Sequence, residues 1–322
     1  MSAESARVLV TGADGFVGQH LQLTLRQRGI DYRAAVRAAA IAGDARRYAV
    51  GDIGPRTDWR AALDGIDVVV HLAARAHVLR ETAADPRAEF MRVNAEGTAA
   101  LVAAAVTADV RRFIYASSVG VLGNASGRAP LTPDCAPQPH NAYSESKLAG
   151  ERAARSAAAH LEVVVLRLPL IYGPGVRANF LRLLRWVDRG WPLPLAGVDN
   201  VRSLLNIWNL CDLVTQLLAR PVASGRAWLV SDGEDLSTPE LVRRIAGFMQ
   251  RKARLWRVPA GVLQVLGQLT GQRAQVTQLC ASLAVDSTQT RSEFNWSPPV
   301  SVDQALERTV GWYLSEGRQA QV

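Results

Sequence analysis

The sequence predicts an α/β fold, a doubly wound parallel sheet followed by a smaller α/β region towards the C-terminus. Three observations carry this expectation. Short, continuous apolar runs alternate with Ala/Leu-rich helical stretches through the first half, the pattern of βαβ units whose strands are buried on both faces. A glycine-rich turn, TGADGFVG, separates the first run from the first helical stretch. After Pro174 the texture changes: Trp, Pro and Leu become frequent and the apolar runs grow shorter and less regular.

Taken in order, ARVLVTG reads as a strand ending in a turn, and FVGQHLQLTLRQRG as a helix closing on Gly29. YRAAV is a second strand, and a third precedes GDI. DVVVHLA and RRFIYASS follow as strands, separated by a long helical stretch from about Asp85 to Thr107, and VVVLRLP is another. In the second half, GWPLPLAG, RAWLVSDG and RLWRVPAG are irregular, while SLLNIW is expected to return to the main sheet. STPELVRRIAGFM opens with a Ser/Thr cap, Pro and Glu, and SVDQALERTVGWYLSEG reads as a C-terminal helix. The apolar stretch VPAGVLQVLGQLTG is taken as a helix of the second region rather than as a membrane contact.

At 322 residues the chain can bury a sizeable core. No apolar run reaches the roughly 18 residues of a membrane span, and no apolar leader precedes the first strand. Cys135, Cys211 and Cys280 are widely spaced and form no metal-ligand pattern, as in a reducing compartment. A cytoplasmic protein is therefore expected. The net charge of +8 raises the question of nucleic acid. The arginines are read as scattered among acids and alanines rather than clustered with aromatics, so no nucleic-acid partner is expected. A positive field also suits a small anionic substrate. His71 and His77 flank the end of the fourth strand without a third ligand, so no metal is expected.

The glycines of TGADGFVG, Gly12, Gly15 and Gly18, occupy the turn where a dinucleotide pyrophosphate would sit. Gly12 permits the tight turn, Gly15 lets backbone approach phosphate, and Gly18 allows close helix–strand packing. The helix N-terminus supplies amide donors and a positive dipole. This makes residues 1–172 a dinucleotide-binding Rossmann domain, with 201–219 returning to it, and 173–322 mainly a substrate-binding region. Asp52, after the third strand, can accept a hydrogen bond from an adenine amino group. The second strand ends in Val36–Arg37 rather than an acid, which favours a 2′-phosphate over a bare ribose hydroxyl. The cofactor is thus NADP(H) or NAD(H), leaning to the former.

Of 37 basic residues only two are lysines, Lys147 and Lys252. Lys147 stands four positions after Tyr143 in a helical stretch, so the two share a face. A nearby ammonium, together with the positive nicotinamide ring of an oxidised cofactor, stabilises phenolate and is expected to lower the tyrosine pKa, which would let Tyr143 exchange a proton with an alcohol or carbonyl. A point-charge ammonium also suits ribose hydroxyls better than a planar guanidinium. At the strand end YASS, Ser117 and Ser118 offer hydroxyls to a substrate oxygen.

With TGADGFVG, GDI, HLAA, VNAEGT, YASSVGVLG, AYSESK and PLIYGPG along its length, the chain resembles the extended short-chain dehydrogenases/reductases, in particular the nucleotide-sugar 4-epimerase and 4-keto-reductase group. The resemblance implies Tyr143 as acid/base, Lys147 as its partner, Ser118 rather than Ser117 as the substrate-oxygen donor, and Asn94 as a structural and proton-relay residue. It implies cofactor contacts at Gly12, Gly15, Phe16, Val17, Gly18, Arg37, Asp52, Ile53, Leu72, Ala73 and Ala74, besides Tyr143 and Lys147. Asn179 and Arg202 match positions that contact the substrate diphosphate, and Arg273 is a nearby candidate for a second such arginine. Arg75 and His77 could approach a phosphate or serve only their loop. Sugar 4,6-dehydratases carry an acid pair where this chain has Val119 and Gly120, so elimination of water is disfavoured. The expectation is reduction of a UDP-4-keto-6-deoxy-N-acetylhexosamine, as in surface-polysaccharide synthesis. The alternative is a UDP-hexose or UDP-N-acetylhexosamine 4-epimerase with tightly held NAD. A hydroxysteroid-type dehydrogenase and a non-catalytic nucleotide sensor are weaker readings. The resemblance also implies a homodimer that pairs the long helix before YASS with the Tyr/Lys helix.

Overall fold

The computed structural model describes residues 6–38, 46–76, 83–258, 262 and 279–319. His77, Arg273 and nearly all of VPAGVLQVLGQLTG lie outside the described residues. In chain order the strands are β1 (Val8–Thr11), β2 (Tyr32–Val36), β3 (Arg47–Ala49), β4 (Val68–His71), β5 (Arg112–Ser118), β6 (Glu162–Leu168), β7 (Leu170–Tyr172), β8 (Arg202–Asn206), β9 (Arg226–Leu229) and β10 (Asp235–Leu236). The helices are α1 (Phe16–Gln27), α2 (Arg60–Leu63), α3 (Pro86–Met91), α4 (Gly97–Thr107), α5 (Ala142–Arg155), α6 (Ala178–Asp188), α7 (Ile207–Leu217), α8 (Thr238–Phe248), α9 (Thr288–Glu293) and α10 (Val302–Ser315). A π-helical turn, Arg92–Glu96, joins α3 to α4.

The apolar runs pair as a seven-stranded parallel sheet in the order β3-β2-β1-β4-β5-β6-β9. Alternate residues of each strand enter different cores. Val8 and Val10 join Leu21, Leu25, Leu210 and Val214 on the face covered by α1 and α7. Leu9 joins Leu101, Phe113, Ala154 and Val163 on the face covered by α4 and α5. Burial on both faces is what makes these runs continuously hydrophobic in sequence. Around a small sheet ordered β10-β8-β7, α6, α8 and α10 enclose a separate core that includes Phe180, Leu184, Leu241 and Val310.

Two expectations are corrected. The SLLNIW strand does not rejoin the main sheet: β8 pairs parallel with β7 and antiparallel with β10. Its following helix α7 does return, packing beside α1 through Ile207, Leu210 and Val214. RAWL, assigned by sequence to the second region, is β9 and closes the main sheet beside β6. Both shifts have one cause. A strand's partner is set by long-range register and side-chain fit, which local pattern does not encode. Among the described residues no helix is long and apolar enough to cross a membrane.

Candidate active site

All strands of the main sheet run the same way, so their C-terminal ends share one edge, and the strand order reverses between β1 and β4. A crevice at such a point is where open α/β sheets bind ligands. The glycine turn lies there. Gly12 has φ +66°, and a Cβ on it would lie 2.7 Å from the Ala73 nitrogen, so the loops after β1 and β4 touch backbone to backbone. A Cβ at Gly18 would collide with the Gly12 carbonyl oxygen and sit 2.8 Å from Ala13 Cα, which fixes how closely α1 approaches β1. The N-cap of α1, Gly15, offers no side-chain cap, and its first turn holds no acid. That uncapped, positive helix end suits an anionic pyrophosphate. Around it, Phe16 and Val17 pack half-buried on the core, and Asp14 pairs with Arg47 of β3.

The other cofactor-side candidates line the same edge. Arg37 stands exposed just past β2, and Asp52 exposed past β3. Ile53 is half-buried against Gly97, where a Cβ would come 2.7 Å from its Cγ2. Leu72, Ala73 and Ala74 follow β4 directly, half-buried. Beneath them His71 is fully enclosed: Nδ1 lies 2.7 Å from Thr11 Oγ1, and Nε2 lies 3.0 Å from Thr98 Oγ1. Thr98 in turn donates to the Asn94 carbonyl at 2.7 Å, and Thr11 accepts from the Ala73 amide at 3.2 Å. One proton order satisfies this chain, with the imidazole neutral and protonated at Nε2. Burial, with Lys147 adding to it, lowers the His71 pKa to about 3. His71 therefore ties β1, β4 and α4 together as a neutral group, and among the described residues no cluster of ligands suits a metal.

The catalytic-side candidates are set by the start of α5. Asn141 accepts from the Ser144 amide at 2.8 Å and Ser144 Oγ accepts from the Asn141 amide at 3.1 Å, a reciprocal capping box. This cap fixes where the helix starts and so puts Tyr143 and Lys147 one turn apart on one face. The two serines of β5 point to opposite sides, as residues of a strand must. Ser117 is buried and donates to Glu151 Oε1 at 2.5 Å. Ser118 caps the turn at Val119–Val121, accepting from the Gly120 amide at 3.1 Å, and hydrogen-bonds the Tyr143 phenol. The ring of Tyr143 meets Phe90 edge to face, and Arg75 stacks over Phe90 at 5.4 Å. Asn94, 1% exposed, holds the loop after β4 in place. It accepts from the Arg75 amide at 2.7 Å and donates to the Arg75 carbonyl at 3.0 Å and to Ser146 Oγ at 2.9 Å.

The electrostatics differ from expectation. Burial raises the Tyr143 phenol above its usual pKa, and the hydrogen bond to Ser118 opposes that rise. That burial outweighs the predicted lowering by Lys147, which is itself desolvated, its pKa pushed down to about 7 with Glu151 pulling it back up. Its Nζ rests 4.1 Å from the centre of the Tyr115 ring. Glu151, 1% exposed, is gripped by Arg167, 4% exposed, at 3.1 Å from Nε and 2.9 Å from Nη2. Tyr115, Glu151 and Arg167 were passed over in the sequence. Two of them left a signal: Glu151 is four residues beyond Lys147, and Arg167 is a charge inside the apolar run VVVLRLP.

Asn179 and Arg202 belong to elements of the second region. Asn179 is exposed in the first turn of α6. Arg202 opens β8 and donates to the Ala281 carbonyl at 3.1 Å, burial lowering its pKa. The loop between β7 and α6 reaches back to the glycine turn: the Pro174 carbonyl lies 2.8 Å from His20 Nε2, and Gly173 and Gly175 lie against the Phe16 ring.

A glycine-loop crevice beside a Ser–Tyr–Lys set defines an enzyme of the short-chain dehydrogenase/reductase class. More specifically, the chain belongs to the NAD dependent epimerase/dehydratase family, whose profile matches residues 8–231. The UDP-glucose 4-epimerase of Vibrio cholerae is 36% identical over 313 residues, 95% of each chain. The dTDP-glucose 4,6-dehydratase of Streptomyces griseus is 30% identical over 328 residues, 96% of this chain and 94% of the relative. Among solved structures, MoeE5 in complex with UDP-glucuronic acid and NAD superposes with a TM-score of 0.76 at 25% identity, covering 96% of this chain and 99% of MoeE5.

Proposed function

We propose that the protein is a UDP-hexose 4-epimerase working with bound NAD, on UDP-glucose or its N-acetylated counterpart. The observation that carries this is the Ser118–Tyr143 hydroxyl pair at the sheet edge, with Val119 and Gly120 beside it and no carboxylate there to drive elimination. Such a site handles one proton at one carbon. The likeness to the Vibrio cholerae epimerase over nearly the whole chain supports epimerisation over the 4-keto-reduction that Val36–Arg37 suggested. The same site distinguishes the chain from its dehydratase relatives.

NAD, when bound, would supply a hydride acceptor and donor at its nicotinamide. Gly12, Gly15 and Gly18 with the N-terminus of α1 would hold its pyrophosphate, Asp52 its adenine, and Lys147 its ribose hydroxyls, with Phe16, Val17, Ile53 and Leu72 to Ala74 lining the cleft. Ser118 holds the C4 oxygen of the sugar by a hydrogen bond. Tyr143, whose phenolate form the positive nicotinamide ring of bound NAD would favour against the burial that opposes it, takes the C4 hydroxyl proton and returns it to the same oxygen once the sugar has presented its other face. Asn94 keeps the loop after β4 in register with α5, and Asn179 and Arg202 bind the substrate diphosphate. Residues 1–172 carry the cofactor half and 173–322 mainly the substrate half. α4 and α5 are the faces that would pair in a homodimer.

The test is to purify the protein without added cofactor, denature it, quantify released nicotinamide nucleotide, and assay interconversion of UDP-glucose and UDP-galactose. Stoichiometric NAD with interconversion is expected, lost about 10²–10⁴-fold in Tyr143→Phe. An empty protein that consumes NADPH with a UDP-4-keto sugar would replace this reading with the reductase.

A further inference from the structure

The run RKARLWR, Arg251 to Arg257, corrects one expectation from the sequence: here basic residues are clustered, with a tryptophan among them. It forms one side of a short parallel ribbon with residues 191–196. The Leu193 amide donates to the Arg254 carbonyl at 2.8 Å, the Trp256 amide to the Leu193 carbonyl at 2.9 Å, and the Ala196 amide to the Trp256 carbonyl at 3.0 Å. Extended backbone alternates its side chains. Leu193, Leu195 and Leu255 turn inward to the core of the second region. Lys252, Arg254, Trp256, Pro192 and Pro194 are exposed on the other side, with Arg257 beside them.

Two features set this surface apart. Trp256, on the outer face, is 64% exposed and stands among the few large apolar side chains left open to solvent in the described residues. Every charge on the ribbon is positive: neither 189–198 nor 250–258 contains an acid. Of the two flanking acids, Asp188 is taken up by Arg251 at 3.1 Å and Arg318 at 3.0 Å, and Asp199 stands exposed just beyond the ribbon. Arg189 stacks over Trp191 at 5.2 Å. Indole rings flanked by cations match the boundary of a lipid bilayer, apolar below and phosphate-rich above. A second copy of the chain would bring the same cations face to face.

We propose that this ribbon docks the protein peripherally on a membrane leaflet carrying anionic phospholipid, with Trp256 in the headgroup layer and Lys252, Arg254 and Arg257 on the lipid phosphates. Asn179, at the other end of α6, is about 15 Å from Arg189 at the helical rise per residue. The inference does not depend on which sugar the site takes.

Co-sedimentation of the purified full chain with vesicles decides it. Vesicles of phosphatidylcholine mixed with phosphatidylglycerol should bind the protein at low salt, and phosphatidylcholine alone should not. Neutralising Lys252, Arg254 and Arg257 together to Gln should weaken binding on the order of 100-fold, at about fivefold per cation. Trp256→Ser, with all charges kept, should also weaken it, and the wild type should show a Trp256-dependent fluorescence quench by brominated acyl chains. Unchanged thermal unfolding of the variants would show that they are folded. Equal binding to neutral vesicles, or full binding by the folded triple variant, would overturn the proposal. So would absence of vesicle binding, whether or not the ribbon instead binds single-stranded oligonucleotide or drives self-association.

Discussion

Lys147→Met is expected to raise stability at and below neutral pH while removing activity. Lys147 is 2% exposed, and burial moves its pKa from 10.5 to about 7. Below pH 7 the folded protein holds a charged ammonium in a site that disfavours it, a shift equivalent to about 5 kcal/mol. The Tyr115 ring at 4.1 Å faces the ammonium, and its cation–π attraction is already contained in that net shift. Methionine fills similar space without a charge, which leaves a gain of about 5 kcal/mol at pH 6. The sign follows from proton binding. Between pH 7 and 10.5 the unfolded chain binds a proton that the folded chain lacks, so wild-type stability from this group rises across that window. The gain on substitution must shrink accordingly. Urea unfolding of both proteins at pH 6 and pH 9 measures this. A variant no more stable than wild type at pH 6, or one whose advantage is undiminished at pH 9, would refute the reasoning.

Two further outcomes follow from the buried polar groups. Glu151→Gln should cost about 3–5 kcal/mol, because it strands the Arg167 guanidinium in the interior, whereas Glu151→Leu with Arg167→Met should recover most of the loss in the same denaturant assay. His71 has its pKa lowered from 6.5 to about 3, so as pH falls through that interval the unfolded chain takes up a proton the folded chain refuses. Unfolding free energies measured from pH 6.5 to pH 4 should therefore fall with a contribution of about 1.4 kcal/mol per pH unit from His71, a slope absent in His71→Gln.

The parts of this architecture that local chemistry dictates could be read directly from the chain. The glycine turn and the Tyr143–Lys147 spacing are short-range facts, and the apolar runs of β1, β4, β5 and β6 announce strands buried on both sides. What escaped was long-range. That RAWL would choose β6 as its partner, and that Tyr115 would lie under Lys147 from 32 positions away, depends on how separate elements meet. The direction of the Tyr143 pKa was misjudged for the same reason. Charge proximity is visible at a spacing of four residues, but the depth of burial that opposes it is a property of the assembled fold.

The π-helical turn at Arg92–Glu96 has a consequence for the length of this segment. One extra residue in a helix displaces everything after it by about 100° around the axis. Asn94 faces Arg75 and Ser146, while Gly97, a few positions on, must present its bare Cα to Ile53. Across these positions the wide turn sets a different angle from the one a uniform α-helix would set. Deleting a single residue from the turn would therefore restore the more regular hydrogen-bond ladder and yet rotate one contact out of alignment. The segment trades local regularity for angular phase.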